Sequence, residues 1–143
     1  MKEAGTPDAG GDYEKYQGWP AEVADGLARH GLSVLGGAAS RCLVLGTGTG
    51  INDTLPLARR AGPPLRIVAG DIDAPCLERL RQQVAAEGLG NVEVRRLDIS
   101  EDLSSLGRFD LVTLLFVIHR LRSWEGVVDR LVFQDASERG SQA

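Results

Sequence analysis

Three alternating glycines, Gly46, Gly48 and Gly50, fall in the run Leu45-Gly46-Thr47-Gly48-Thr49-Gly50-Ile51, directly after the apolar stretch Arg41-Cys42-Leu43-Val44-Leu45. Without Cβ atoms, such a turn lets a ligand lie against the backbone and presents the N–H groups of the helix that follows. Glycines at a strand end also serve simply to turn the chain, but the acid at Asp71 favours a nucleotide-like ligand. Asp71 closes the next apolar run, Leu65-Arg66-Ile67-Val68-Ala69-Gly70. A carboxylate at that place accepts hydrogen bonds from two ribose hydroxyls, which suits adenosine. Asp98 ends a third run and precedes Ile99-Ser100. It either accepts from an adenine amino group, with Ile99 packed on the ring, or closes an Asx turn. Asp73 reads as the N-cap of the next helix, with Pro75 tolerated in its first turn.

Two other glycine motifs are excluded by spacing. A dinucleotide fingerprint, GxGxxG, needs a glycine where the chain has Ile51 or, one step later, Asp53. A phosphate-binding P-loop ends in GKS or GKT, and no lysine follows Lys15. His119, near the end of the fourth apolar run, is a candidate general base, since imidazole titrates near neutrality; a structural histidine at a helix start is the other reading. Arg120 and Arg122 suit an acidic substrate or plain solvent, and Trp19 and Trp124 suit stacking on a flat substrate or ordinary packing. Cys42 and Cys76 stand alone, without CxxC spacing, and read as buried thiols in a reducing compartment. Two histidines are too few for most histidine-based metal sites.

The elements that must position these residues follow from periodicity. Four apolar runs read as strands: Arg41 to Leu45, Leu65 to Ala69, Asn91 to Leu97 and Leu111 to Ile118. Helices are expected from Ala21 to His30, ending before Gly31 with Val23, Ala24 and Leu27 on its apolar side, and near Asp53 to Ala61. A third is expected from Ala74 to Glu87, with Leu77, Leu80 and Val84 on one stripe, and a fourth over Trp124 to Val132. Strand alternating with helix is the grammar of an α/β doubly wound sheet. At 143 residues the chain has the size of one domain. Residues 1–12 and 134–143 read as polar tails, and 13–133 as the domain. The aromatic arm Tyr13-Glu14-Lys15-Tyr16-Gln17-Gly18-Trp19-Pro20 either folds over a ligand or pins the N-terminus to the core.

Composition narrows the class further. Hydrophobic residues make up 43 % and charged residues 25 %, a globular balance. The formal charge of -4 argues against a nucleic-acid backbone as main partner. No apolar run is long enough to span a bilayer, and the N-terminus lacks a secretory stretch. The cytoplasm is the expected location, with no membrane partner.

Together the segments VLGTGTG, AGDIDAPCLERLR, NVEVRRLDISEDL and RFDLVTLLFVIHRL resemble the class I S-adenosylmethionine-dependent methyltransferases of small-molecule type. The resemblance covers roughly residues 13–133. It implies a Rossmann-like parallel sheet of strand order 3-2-1-4, the N-terminal half of the family's fold, with the C-terminal strands missing. It also implies that Gly46, Thr47, Gly48 and Gly50 lie along the methionine part of the cofactor and that Asp71 holds the ribose diol. Ile72 would border the adenine, Asp98 and Ile99 would grip its amino edge, and Phe116 with His119 would line the pocket near the methyl group. Tyr13 and Tyr16 would form an N-terminal lid over S-adenosylmethionine.

One departure stands at the first strand. The family usually carries an acid two residues before the first glycine, near the cofactor's amino group, and this chain has Val44. The other is the lost C-terminal half, which leaves the Leu111 to Ile118 strand as an apolar edge without a protecting charge. A homodimer is therefore expected, through that edge or the 124–132 helix. The expected function is methyl transfer to a small organic metabolite of natural-product type, or its cyclisation or rearrangement, in a site completed by dimerisation. The alternative is a non-catalytic homologue that serves as a binding or stabilising partner.

Overall fold

A computed structural model describes residues 18–35 and 40–114. In chain order they form α1 (Ala21–Leu35), β1 (Ser40–Leu45), α2 (Thr54–Ala61), β2 (Leu65–Asp71), α3 (Ala74–Glu87), β3 (Val92–Arg96), a single 3-10 turn (Ser104–Leu106) and β4 (Leu111–Thr113). The strands pair in the order β3-β2-β1-β4, and every pairing is parallel. This is the expected sheet. Beyond Leu114, the continuation of the fourth strand to Ile118 and the helix over 124–132 lie outside the described residues. So do both polar tails, Tyr13, Tyr16, Phe116 and His119.

The sheet is held by side chains that alternate between its faces. Cys42 and Val44 of β1 join Ile67 and Ala69 of β2, Leu55 and Leu57 from the α2 region, and Leu80 of α3 in one cluster. Leu43, Leu45 and Val68 point the other way, against Leu106 of the 3-10 turn, with Leu97, Ile99 and Phe109 packed around them. β1 is central and buried on both sides, so its last four residues read as one apolar run.

α3 begins and ends where its sequence says it should. Asp73 accepts from the Cys76 amide as N-cap, Pro75 sits in the first turn, and Gly88 closes the helix in the left-handed region at φ 66°. Leu77 and Leu80 are buried, and Val84 packs beside them. α1 departs from expectation in two ways. It continues through Gly31 to Leu35, and its buried face carries Ala24 and Ala28, leaving Val23 49 % and Leu27 44 % exposed. At Gly31 a Cβ would stand 3.3 Å from the Leu111 side chain, so this glycine is a close contact between helix and sheet rather than a stop. At the other end, the Trp19 amide donates to Asn52 Oδ1 at 2.9 Å and ties the chain before α1 to the glycine loop.

Asn91, just before β3, is buried, and its amide donates to Gly62 O at 2.9 Å and Leu65 O at 3.1 Å. It thereby links the end of α2 to the starts of β2 and β3. Replacement by alanine is expected to lower stability by about 1–2 kcal/mol, because two carbonyls lose their donor. Urea unfolding checks this; an unchanged midpoint would show that water replaces the amide at no penalty.

Candidate functional site

The candidate site lies at the carboxyl end of the parallel strands, where β1 and β2 run into loops. All three loop glycines hold positive φ: 70° at Gly46, 58° at Gly48 and 79° at Gly50. At Gly50 a second restriction applies, because a Cβ would stand 2.6 Å from Leu80 Cδ1 of α3. Gly50 thus lets the loop sit down on α3. The loop is pinned to β2 by the amides of Gly46 and Thr47, which donate to Gly70 O at 2.9 and 3.1 Å.

Asp71 terminates β2 and faces this loop directly. The Gly48 amide donates to its Oδ2 at 2.8 Å, and the Asp73 amide to its Oδ1 at 3.0 Å. A carboxylate has about four lone-pair sites, so both oxygens can accept further hydrogen bonds from a ligand. Beside it, Ile72 projects its side chain outward and is 60 % exposed, an apolar surface next to a carboxylate. The sequence placed Gly48, Asp71 and Ile72 in one site, and the fold brings them together.

Thr47 lies in the loop, but its side chain turns inward. Its hydroxyl meets Thr54 Oγ1 at 2.7 Å and donates to Asp53 Oδ1 at 3.1 Å. Its amide donates to Gly70 O and its carbonyl accepts from the Gly50 amide, so Thr47 serves to shape the loop. At the end of β3, Asp98 forms the Asx turn, since its Oδ1 accepts from the Ser100 amide at 2.9 Å and the Ser100 hydroxyl at 2.6 Å. These donors hold its carboxyl below the usual range. Ile99 packs against the Leu43–Leu45 cluster. The Asx turn leaves Oδ2 out of both bonds, so turn and ligand contact are compatible on one side chain.

Sequence reasoning did not single out Asp53 as a site residue; it entered as the start of the second expected helix and as a position where a dinucleotide fingerprint fails. It is the N-cap of α2, and its Oδ1 accepts from the Thr54 amide at 2.6 Å. Burial pushes its carboxyl up to about 7, and the nearby Asp71 charge adds to the rise. The signal that could have found it is an acid at a helix start directly after a glycine loop. Asp53 is also among the residues lining a small, almost wholly apolar cavity of about 50 Å³ between α1, β1 and β4, with Asn52, Val44, Leu57, Leu111 and Thr113 in other parts of the wall. No helix among the described residues is long and apolar enough to cross a membrane.

Comparison with known proteins places this chain among relatives. The profile of a family described as "Methyltransferase domain" matches residues 42–132. The N-terminal domain of EvdMO1, crystallised in the presence of SAH and D-fucose, is 29 % identical with a TM-score of 0.70 over 80 % of this chain and 48 % of its own. The crystal structure of EvdMO1 gives 29 % identity and a TM-score of 0.69 over 77 % of this chain and 26 % of that one. A SAM-dependent methyltransferase from Aquifex aeolicus, 20 % identical with a TM-score of 0.63, shares the fold over 88 % of this chain and 66 % of its own. The chain thus spans between about a quarter and a half of the EvdMO1 chains it resembles. A search of curated proteins by sequence finds no match.

Proposed function

Because the chain belongs to the methyltransferase-domain family, we propose that it binds S-adenosylmethionine along the glycine loop, with Asp71 on the ribose diol, and transfers its methyl group to a small organic metabolite. The observation that carries this reading is the contact between the Gly48 amide and the Asp71 carboxylate, which places a Cβ-free backbone and a two-oxygen acceptor within 2.8 Å. The N-terminal domain of EvdMO1, solved with SAH bound, lends support from a relative of the same fold.

When bound, S-adenosylmethionine supplies an electrophilic methyl on a positively charged sulfur. The chain's own residues then have three tasks. The glycine loop and Asp71 hold the ligand in one orientation, which converts methyl transfer into an aligned displacement. Ile72 and Ile99 offer apolar surface to the adenine, and the second oxygen of Asp98 an acceptor for its amino group. The negative charge of Asp71 favours the charged sulfonium over its neutral demethylated product. His119 is proposed as the base that takes the proton from the acceptor group, and Tyr16 and Phe116 as walls of the pocket; all three lie outside the described residues.

A homodimer through the β4 edge or the 124–132 segment is proposed to complete the substrate side. A second reading is a non-catalytic homologue that serves as a binding or stabilising partner. Isothermal titration with S-adenosylhomocysteine tests the common premise. Saturable binding at sub-millimolar ligand is expected; no heat at 1 mM, about 4 kcal/mol of binding free energy, would overturn it. A methyl-transfer assay on small hydroxylated acceptors then separates enzyme from partner.

A further inference from the structure

We propose that residues 124–132 of this chain dock along an exposed apolar stripe of α1, at the rim of the small cavity beside β4.

The stripe is a property of the helix itself. Val23, Leu27, His30 and Val34 follow at i, i+4, i+7 and i+11, so they share one face. All four are exposed, Val34 by 63 %. Ala24 and Ala28 meet the core on the adjoining face. Single exposed apolar residues are ordinary on a surface, but three large ones in one line on a 15-residue helix form a patch that gains by being covered.

The patch lies on the side of β4. Leu27 lines the small cavity together with Leu111 and Thr113 of that strand. The cavity's surface is almost wholly apolar, so hydrocarbon suits it better than a polar group. Among the described residues β4 pairs with β1 alone, and its other edge is open.

What covers the stripe follows from where the chain goes. β4 leads through Thr113 and Leu114 out of this same region. α1 runs from the loop end of the sheet, where the Trp19 amide meets Asn52, towards the start of β4, where Gly31 packs on Leu111. A segment that turns back after β4 therefore runs beside α1 in the same direction. Residues 124–132, which lie outside the described residues, have the pattern for it. Trp124, Val127, Val128, Leu131 and Val132 recur at helical spacing after Ser123. As a helix the segment is about 12 Å long, against about 16 Å for the stripe. The connection 115–123 reaches about 30 Å when extended, so the turn is well within its span. Such a tether gives a local concentration of about millimolar, and a second copy at about micromolar level does not compete.

Docked there, the segment belongs to its own chain, which leaves the β4 edge as the contact for a second copy. On the cofactor reading above, the connection that carries Phe116 and His119 is then held at both ends, by β4 and by α1.

Oxidation of the full chain carrying Leu27→Cys and Val128→Cys tests the contact. Cys42 and Cys76 are buried and stay as a silent background, and burial pushes the Cys42 thiol up to about 12. An intramolecular disulfide, seen as a faster band without reductant, is expected. It should form at least about tenfold faster than when Arg29→Cys, on another face of α1, replaces Leu27→Cys, since a disulfide requires Cα atoms within about 7 Å. A dimer-sized band would assign the stripe to a second copy and overturn the proposal, as would equal rates from both positions. If register keeps the pair apart, Trp124 decides. In a Trp19→Phe background its emission is expected at short wavelength, unchanged on dilution, and Val23→Asp should shift it to that of solvent-exposed indole. Emission that is already that of exposed indole, or that Val23→Asp leaves in place, would overturn the docking. Titration with S-adenosylhomocysteine keeps the two readings apart: a chain that forms the disulfide and binds no ligand loses the cofactor reading and keeps the docked segment.

Discussion

Alanine at position 71 is expected to weaken S-adenosylhomocysteine binding by well over tenfold, a loss exceeding about 1.4 kcal/mol. Two effects combine. The ribose hydroxyls lose their acceptor, and the Gly48 amide of the loop and the Asp73 amide lose theirs, although the Gly46 and Thr47 amides still hold the loop to Gly70 O. The freed amides are part-buried or near the surface, so water replaces some of the lost bonding, and a stability decrease of about 1–2 kcal/mol accompanies the binding loss. Asp71→Asn should fall between wild type and alanine. Its amide oxygen can accept one of the two N–H groups, but its NH₂ would face the other. Isothermal titration reads the affinity and urea unfolding the stability. An alanine variant that folds and binds as tightly as wild type would remove Asp71 from the site.

The second large effect concerns Asp53 and has a definite sign. Its folded carboxyl titrates at about 7, above the ordinary aspartate value of 3.8, with burial as the leading cause. Between pH 4 and 7, roughly, the folded chain holds a proton that the unfolded chain has released. The protonated carboxyl's advantage is complete below the unfolded value, and stability declines as pH rises through this window; above about 7 the loss is full. Three pH units set a ceiling of about 4 kcal/mol, and relaxation around the charge brings the expected figure to about 2 kcal/mol. Asp53→Asn removes this term while keeping the cap. It should therefore match wild type at pH 4 and exceed it at pH 8 by about 2 kcal/mol.

Other carboxyls act in the opposite sense, which is why the difference between variant and wild type is the right readout. Asp25, paired with Arg60, and Glu87, held by Arg59 and Gln83 and lowered to about 2, contribute stability that is lost as pH falls through their depressed values. These terms cancel between the two proteins. Urea melts at pH 4, 6 and 8 give the comparison, and a constant difference across that range would show that the Asp53 carboxyl stays ionised throughout.

Much of the fold was legible in the residues because its causes are local. The bounds of α3 follow from a capping aspartate, a first-turn proline and a terminal glycine, each acting within a few residues of itself. The sheet order was legible as well, because β1 and β2 are nearly continuous apolar runs and the four segments follow a familiar family order. The glycine loop and Asp71 were readable for the same reason: special backbone needs leave few residue types open.

What the sequence by itself determined, then, was the sheet, the loop and the acid that faces it. The tertiary structure alone decided three other things. It turned Ala24 and Ala28 of α1 inward and carried the helix through Gly31, where a Cβ would stand 3.3 Å from the Leu111 side chain of β4, so that helix and strand pack closely. It committed the Asp98 Oδ1 oxygen to Ser100 and turned Thr47 away from the loop surface. Above all, it made Asp53 a group of unusual protonation, beside a small cavity that Val44 and Thr113 also line. Desolvation is a property of everything packed around a side chain, and the walls here come from α1, the α2 region, β1 and β4, which are separated in sequence and meet only in the folded chain.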